Sequence, residues 1–197
     1  MKNVRKADIK RKTKETSIEL KLVIDGEGKN QIHTPLGFFN HLLESFSRHG
    51  LFDLELNARG DLETGAHHTV EDLGIVLGQA FNNALSVRKG IVRFGHAVVP
   101  MDEALARVVI DLSGRPFFVY QAEIPRDRQW EFDVHLVEEF FRAFANNAGV
   151  ALHVKLEYGS DYHHCLEAMF KAFGRALAQA VAINPREPRV PSTKEKL

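Results

Sequence analysis

The sequence predicts an α+β fold in which one half-domain is used twice, and three observations predict it. Segments with a hydrophobic period near two alternate along the chain with segments at helical spacing. The pattern His-His-x-x-Glu occurs twice, as His67-His68-Thr69-Val70-Glu71 and as His163-His164-Cys165-Leu166-Glu167, each opening a run of helix-forming residues. The stretch ahead of the first copy also aligns with the stretch ahead of the second, an internal repeat of roughly 90 residues. At 197 residues, 44% hydrophobic and 26% charged, the chain can bury a real core as one domain or as two small fused ones.

Taken in order, residues 4–13 are basic and extended in character. Residues 17–24 alternate Ile18, Leu20, Leu22 and Ile24 against Glu19, Lys21 and Val23, as a half-buried strand does, and Asp25-Gly26-Glu27-Gly28 ends them in a turn. Residues 35–48 carry Leu36, Phe39, Leu42 or Leu43 and Phe46 at helical spacing, with Gly50 as the stop. Residues 51–56 read as a strand, 60–66 as a loop, and the first His-His-x-x-Glu starts a helix through Leu73, Leu77, Phe81 and Leu85 to Gly90. In the second half, 92–100, 104–112 and 117–124 read as strands, 133–147 as a helix and 150–158 as a strand. The second His-His-x-x-Glu then opens a helix through Phe170, Phe173, Leu177 and Val181. The repeats divide the chain into 1–90 and 91–184, leaving a proline-containing tail at 185–197.

Composition narrows the function. Lys plus Arg equals Asp plus Glu at 26 each, which argues against a protein that coats nucleic acid or an anionic membrane but leaves room for a local basic pocket. The single Cys165 excludes an intramolecular disulfide framework and fits a reducing compartment. No apolar run reaches the length of a membrane span, and residues 1–14 lack the apolar core of a signal peptide, so a soluble cytoplasmic protein is expected.

The repeated motif points to metal chemistry. At 3.6 residues per turn the first His and the Glu share a helix face, whereas adjacent histidines project about 100° apart. Such a pair serves two ions better than one, and imidazole with carboxylate suits Zn, Mn or Fe. Aligning Phe39-Asn40-His41-Leu42-Leu43 with the stretch that ends Glu138-Glu139-Phe140-Phe141 sets His41 against Glu139 and Phe46 against Phe144, which nominates His41 and Glu139 as one further ligand per site. His33, His49, His96, His135 and His153 have no partner pattern and are assigned to packing or surface roles. Cys165 lies about 100° further round the helix than His164, as a packing thiol would.

Over nearly the whole chain these residues resemble the imidazoleglycerol-phosphate dehydratase family of histidine biosynthesis. The resemblance rests on Gly37-Phe38-Phe39-Asn40-His41, His67-His68-Thr69-Val70-Glu71-Asp72, Pro100-Met101-Asp102-Glu103-Ala104-Leu105, Asp111-Leu112-Ser113-Gly114-Arg115-Pro116, Val137-Glu138-Glu139-Phe140-Phe141 and His163-His164 through Glu167-Ala168 to Phe170-Lys171-Ala172. It implies a duplicated half-domain of the ribosomal protein S5 domain 2-like type, with helices packed on one face of each sheet. It implies a hydro-lyase that removes water from D-erythro-imidazoleglycerol phosphate to give imidazole acetol phosphate. It also implies a homo-oligomer of 24 subunits built from trimers, with two manganese ions per site completed between subunits, and the tail closing over the active site.

The resemblance carries metal ligation to His41, His67, His68, Glu71, Glu139, His163, His164 and Glu167, all eight of which the motif and the repeat had already nominated. It carries substrate contacts to Glu15, Arg93, Arg115, Lys171, Ser192, Thr193 and Lys194. Arg forks and a Lys point charge both suit a phosphate monoester. Glu15 and Glu167 are the two candidates for the carboxylate that moves the proton, and Lys171 joins them as a catalytic residue. Three places depart from the family pattern. The loop Asp61-Leu62-Glu63-Thr64-Gly65-Ala66 stands where relatives usually carry a His and one or two Asp that would orient ligand imidazoles. Glu139 stands where some relatives have His, which leans towards a harder ion such as Mn, and Glu195 stands where a Gly is usual. Two other classes fit the metal pattern alone: a di-metal phosphate-ester hydrolase, and a non-enzymatic assembly protein with histidines bridging its subunits.

Overall fold

The structure, a computed structural model, describes residues 4–60, 62, 63, 65–125 and 132–194. Asp61, Thr64 and Glu195 lie outside the described residues. The first half contains β1 (Lys6–Lys12), β2 (Thr16–Val23), β3 (Asn30–His33), α1 (Gly37–Gly50), β4 (Asp53–Gly60) and α2 (His67–Leu85). The second contains β5 (Phe94–Met101), β6 (Ala104–Asp111), β7 (Phe117–Gln121), α3 (His135–Ala148), β8 (Ala151–Tyr158) and α4 (Tyr162–Val181). Both sheets have the same order, β1-β2-β4-β3 and β5-β6-β8-β7, and in both the last pairing is parallel and the others antiparallel. The internal duplication is therefore a duplication of topology.

Strict alternation makes each central strand two-faced. In β2, Thr16, Ile18, Leu20 and Leu22 are buried while Ser17, Glu19 and Lys21 face solvent. The buried face of the first sheet is covered by α2 and that of the second by α4, while α1 packs on α4 and α3 packs on α2. Each half thus leans its first helix on the other half's second helix, and one hydrophobic cluster runs through both. Phe46, Phe81, Phe144 and Phe173, one ring from each helix, meet at its centre, with Phe46 to Phe173 at 4.8 Å and Phe144 to Phe173 at 4.9 Å between centroids.

The helix crossings are backbone on backbone. A Cβ on Gly174 would stand 2.5 Å from the Phe46 carbonyl oxygen, and at the equivalent crossing a Cβ on Gly78 would stand 2.7 Å from that of Phe144. Gly174→Ala should therefore push α4 off α1 and lower stability by about 1–3 kcal/mol, measurable as a reduced denaturant midpoint. An unchanged midpoint would refute the close crossing.

Three local features depart from the sequence expectation. The short parallel strand β3 was not anticipated, because four residues carry too little alternation to register. The helix from the first motif ends at Leu85 instead of Gly90, since Ser86 and Arg88 both have positive φ and the Arg88 guanidinium turns to the Ala148 and Gly149 carbonyls at the end of α3. Gly50 belongs to α1, and Leu51 takes the left-handed cap at φ 57°. Glycine is needed at 50 for space, because a Cβ there would meet the Phe52 ring at 2.4 Å. Among the described residues no helix is long and apolar enough to cross a membrane.

Candidate active site

The second His-His-x-x-Glu occupies the first turns of α4, whose start is capped by the Asp161 side chain accepting the His164 N–H at 3.0 Å. One helical turn separates His163 from Glu167, so both face the same way, and the packing of α1 on α4 brings His41 to meet them. His163 Nε2 and His41 Nε2 lie 3.0 and 3.1 Å from Glu167 Oε2, and one donor atom from each of the three residues falls within 4.8 Å of the others. Lys171, a further turn along α4, places Nζ 2.8 Å from Glu167 Oε1, while Ser45 Oγ approaches the same oxygen at 3.4 Å. Burial of Glu167 works against its charge and is the largest single influence on it. The Lys171 contact, with the two histidines, outweighs that burial and holds the carboxyl at about 2. An ionised carboxylate and two imidazoles on converging elements form a donor set suited to a divalent metal ion.

The turn between β5 and β6 brings a second carboxylate to the same motif. Glu103 Oε2 lies 2.7 Å from His164 Nδ1, and Glu103 Oε1 accepts the Asp161 N–H at 2.7 Å and the Ser160 N–H at 3.2 Å. The His164 contact, followed by the Asp161 amide, holds the Glu103 carboxyl at about 2, and the same pairing raises the His164 imidazole above its ordinary range.

The first motif is looser. Glu15, in the turn between β1 and β2, places Oε2 3.0 Å from His68 Nδ1, but that nitrogen, though buried, makes no hydrogen bond among the described residues. His67 and Glu71 stand 3.8 Å apart. The hairpin that carries Glu15 is docked on α2 by buried Asp72, which receives Arg11 Nε at 2.9 Å and the Thr16 hydroxyl at 2.5 Å. Glu139 lies on α3, the helix that packs on α2, with its carboxylate 3.8 Å from Arg142.

A cleft lies near the tail. Lys89, Arg93, Arg189, Pro191, Ser192 and Thr193 line it, together with Glu187, which pairs with Arg189 at 2.9 Å. Arg93 is fixed within it, bound through Nε and Nη2 to Asp111 at 2.7 and 3.1 Å and through Nη1 to the Pro191 carbonyl at 2.8 Å. The Lys194 N–H bonds the Ser192 hydroxyl at 3.2 Å. Arg115, in the turn after β6, is exposed.

The sequence profile described as imidazoleglycerol-phosphate dehydratase matches residues 34–177. The chain belongs to the imidazoleglycerol-phosphate dehydratase family. It is 56% identical over 193 residues to the imidazoleglycerol-phosphate dehydratase of Acetivibrio thermocellus, covering 98% of this chain and 99% of that protein. To that of Geobacter metallireducens it is 55% identical with the same coverage. The crystal structure of the Staphylococcus aureus imidazoleglycerol-phosphate dehydratase superposes with a TM-score of 0.82 at 39% identity, covering 91% of this chain and 99% of that one. That of the Pyrococcus furiosus protein gives 0.83 at 34% identity, covering 96% and 100%.

Within this member of the imidazoleglycerol-phosphate dehydratase family, the site residues nominated from sequence fall into separate groups. His41, His163, Glu167 and Lys171 come together in one cluster. Glu15 reaches His68, His67 reaches Glu71, and Arg93 joins the tail near Ser192 and Thr193. Among the described residues, His67, His68, Glu71, Glu139 and His164 form no three-residue group of metal-binding spacing with one another. Sequence reasoning assigned no role to Glu103, Asp72, Ser45 or Asp111. For Glu103 a clue was available, since Glu15 and Glu103 each immediately precede the second strand of their sheet.

Proposed function

We propose that the protein removes water from D-erythro-imidazoleglycerol phosphate to give imidazole acetol phosphate, a step of histidine biosynthesis in the cytoplasm. The observation that carries this reading is the convergence of His41, His163 and Glu167, in a chain similar over almost its full length to proteins bearing the dehydratase name. Two divalent ions, most suitably Mn, are held by His41, His67, His68, Glu71, Glu139, His163, His164 and Glu167. Five of these do not cluster with one another within the described chain, which supports sites completed between subunits of a homo-oligomer, a 24-mer built from trimers. Bound metal supplies Lewis acidity that draws electrons from the substrate's imidazole ring and so acidifies the neighbouring carbon.

The chain's own groups do the rest. Lys171 keeps Glu167 ionised and in place, so Glu167 serves as a fixed ligand instead of a proton carrier. Glu15 is exposed and its carboxylate accepts no backbone N–H among the described residues, which leaves it free to take the carbon-bound proton. The substrate hydroxyl departs as water with the proton that Glu15 gives back, which restores the carboxylate, and the resulting enol tautomerises to the ketone. Arg93, Arg115, Lys171, Ser192, Thr193 and Lys194 bind the phosphate, with Arg93 held ready by Asp111. The tail assigned to 185–197 follows the two repeats, 1–90 and 91–184, and its described part, 185–194, closes over the site.

The deciding assay uses metal-stripped protein with imidazoleglycerol phosphate, with and without added Mn. Ketone product that depends on Mn is expected. Its absence overturns the proposal, and release of inorganic phosphate in its place would identify a hydrolase.

A further inference from the structure

Glu103 sits at the centre of a strap joining three pieces of the second half. Its Oε2 engages His164 Nδ1 at 2.7 Å, its Oε1 takes the backbone N–H groups of Asp161 and Ser160, and Asp161 in turn caps α4 through the His164 N–H. The carboxylate is thus immobilised by amides that do not depend on the histidine. A carboxylate accepting from Nδ1 selects the tautomer in which Nε2 carries the lone pair and fixes the direction in which that lone pair points. His164 Nε2 lies 3.7 Å from Asp102 Oδ2, beyond hydrogen-bonding range. We propose that Glu103 is a positioning residue that holds the His164 ring with Nε2 presented to a divalent metal ion, an inference that rests on the reading of His164 as a ligand.

The duplicated topology supplies an internal comparison. Glu15 occupies the corresponding turn of the first half and faces Nδ1 of the corresponding histidine, His68, at 3.0 Å, but among the described residues that nitrogen has no hydrogen-bond partner and the Glu15 carboxylate accepts no backbone N–H. One turn position therefore carries two different jobs. The strapped copy orients a ring, and the first-half copy is the base of the proposed reaction.

The test is a Mn(II) titration of the metal-stripped full chain, with free ion followed by electron paramagnetic resonance, for the wild type, Glu103→Gln and His164→Ala. Gln retains a neutral acceptor for the Ser160 and Asp161 amides but lacks the anionic one. Glu103→Gln is expected to weaken one class of Mn site by about 10- to 100-fold, leaving the other class unchanged, and His164→Ala to weaken the same class. If His164→Ala weakens binding while Glu103→Gln binds Mn as the wild type does, the positioning role is overturned and the ligand reading stands. If His164→Ala binds like the wild type, the ligand reading itself fails. A second measurement needs no Glu103 variant: magic-angle-spinning spectra of histidine-labelled wild-type protein at alkaline pH, with His164 assigned by difference. They should show His164 protonated at Nδ1, and protonation at Nε2 would overturn the inference.

Discussion

Replacing Glu167 by Gln is expected to remove metal from the cluster it forms with His41 and His163 and to lower turnover by about 10³-fold or more. The estimate follows from the several kcal/mol that a Lewis-acid ion contributes and from the factor of ten carried by each ~1.4 kcal/mol. Glu167 is the point at which His41, His163, Lys171 and Ser45 all meet, so no other side chain in the cluster can take its place. Gln keeps the shape and one acceptor oxygen but presents no charge to the ion or to Lys171. A partly buried Lys171 without its anion should also cost stability, because breaking a buried pair from one side leaves the other charge uncompensated. Metal content, turnover and thermal midpoint should fall together. A Glu167→Gln protein that retained the wild-type metal content would remove this cluster from the metal centre.

Glu15→Gln should separate chemistry from metal. The variant is expected to lose turnover by about 10²- to 10⁴-fold, the usual contribution of a positioned acid or base, while its metal content and thermal midpoint stay near those of the wild type. The side chain is exposed and approaches His68 without a hydrogen bond among the described residues, so little of the described fold depends on it. The hairpin beneath it is anchored separately, through Thr16 and Arg11 on Asp72. Substrate saturation should change less than maximal rate, as befits a group that acts mainly in the transition state. Full turnover by Glu15→Gln would return the proton transfer to another group.

The contrast between these two glutamates arises from what each touches. Glu167 is held by two imidazoles and an ammonium, and a carboxyl kept near 2 by such neighbours is a poor base at neutral pH. The sequence left Glu15 and Glu167 as equal candidates, because a carboxylate's neighbours belong to other elements. Likewise, Arg93 reads in sequence as one more surface cation. Only the fold pairs it with Asp111 on the neighbouring strand and ties it to the Pro191 carbonyl 98 positions away.

By itself, the sequence determined the duplication, the alternation of strands and helices, the inward face of each strand, and the residue types of the candidate metal donors. These are local matters: a period of two or 3.6 and a His-His-x-x-Glu spacing are visible wherever a single element is long enough to repeat them. Tertiary structure alone decided that α1 of one half packs on α4 of the other, and so that His41 meets His163 and Glu167 across the duplication. It also decided that Glu103 is strapped to His164 while its counterpart Glu15 approaches His68 with no hydrogen bond among the described residues. The physical reason is that such meetings depend on helix crossings set by glycines at close backbone approach and on turns that project side chains across a sheet edge. Both join residues far apart in the chain, and no periodicity along the chain records which of them will touch.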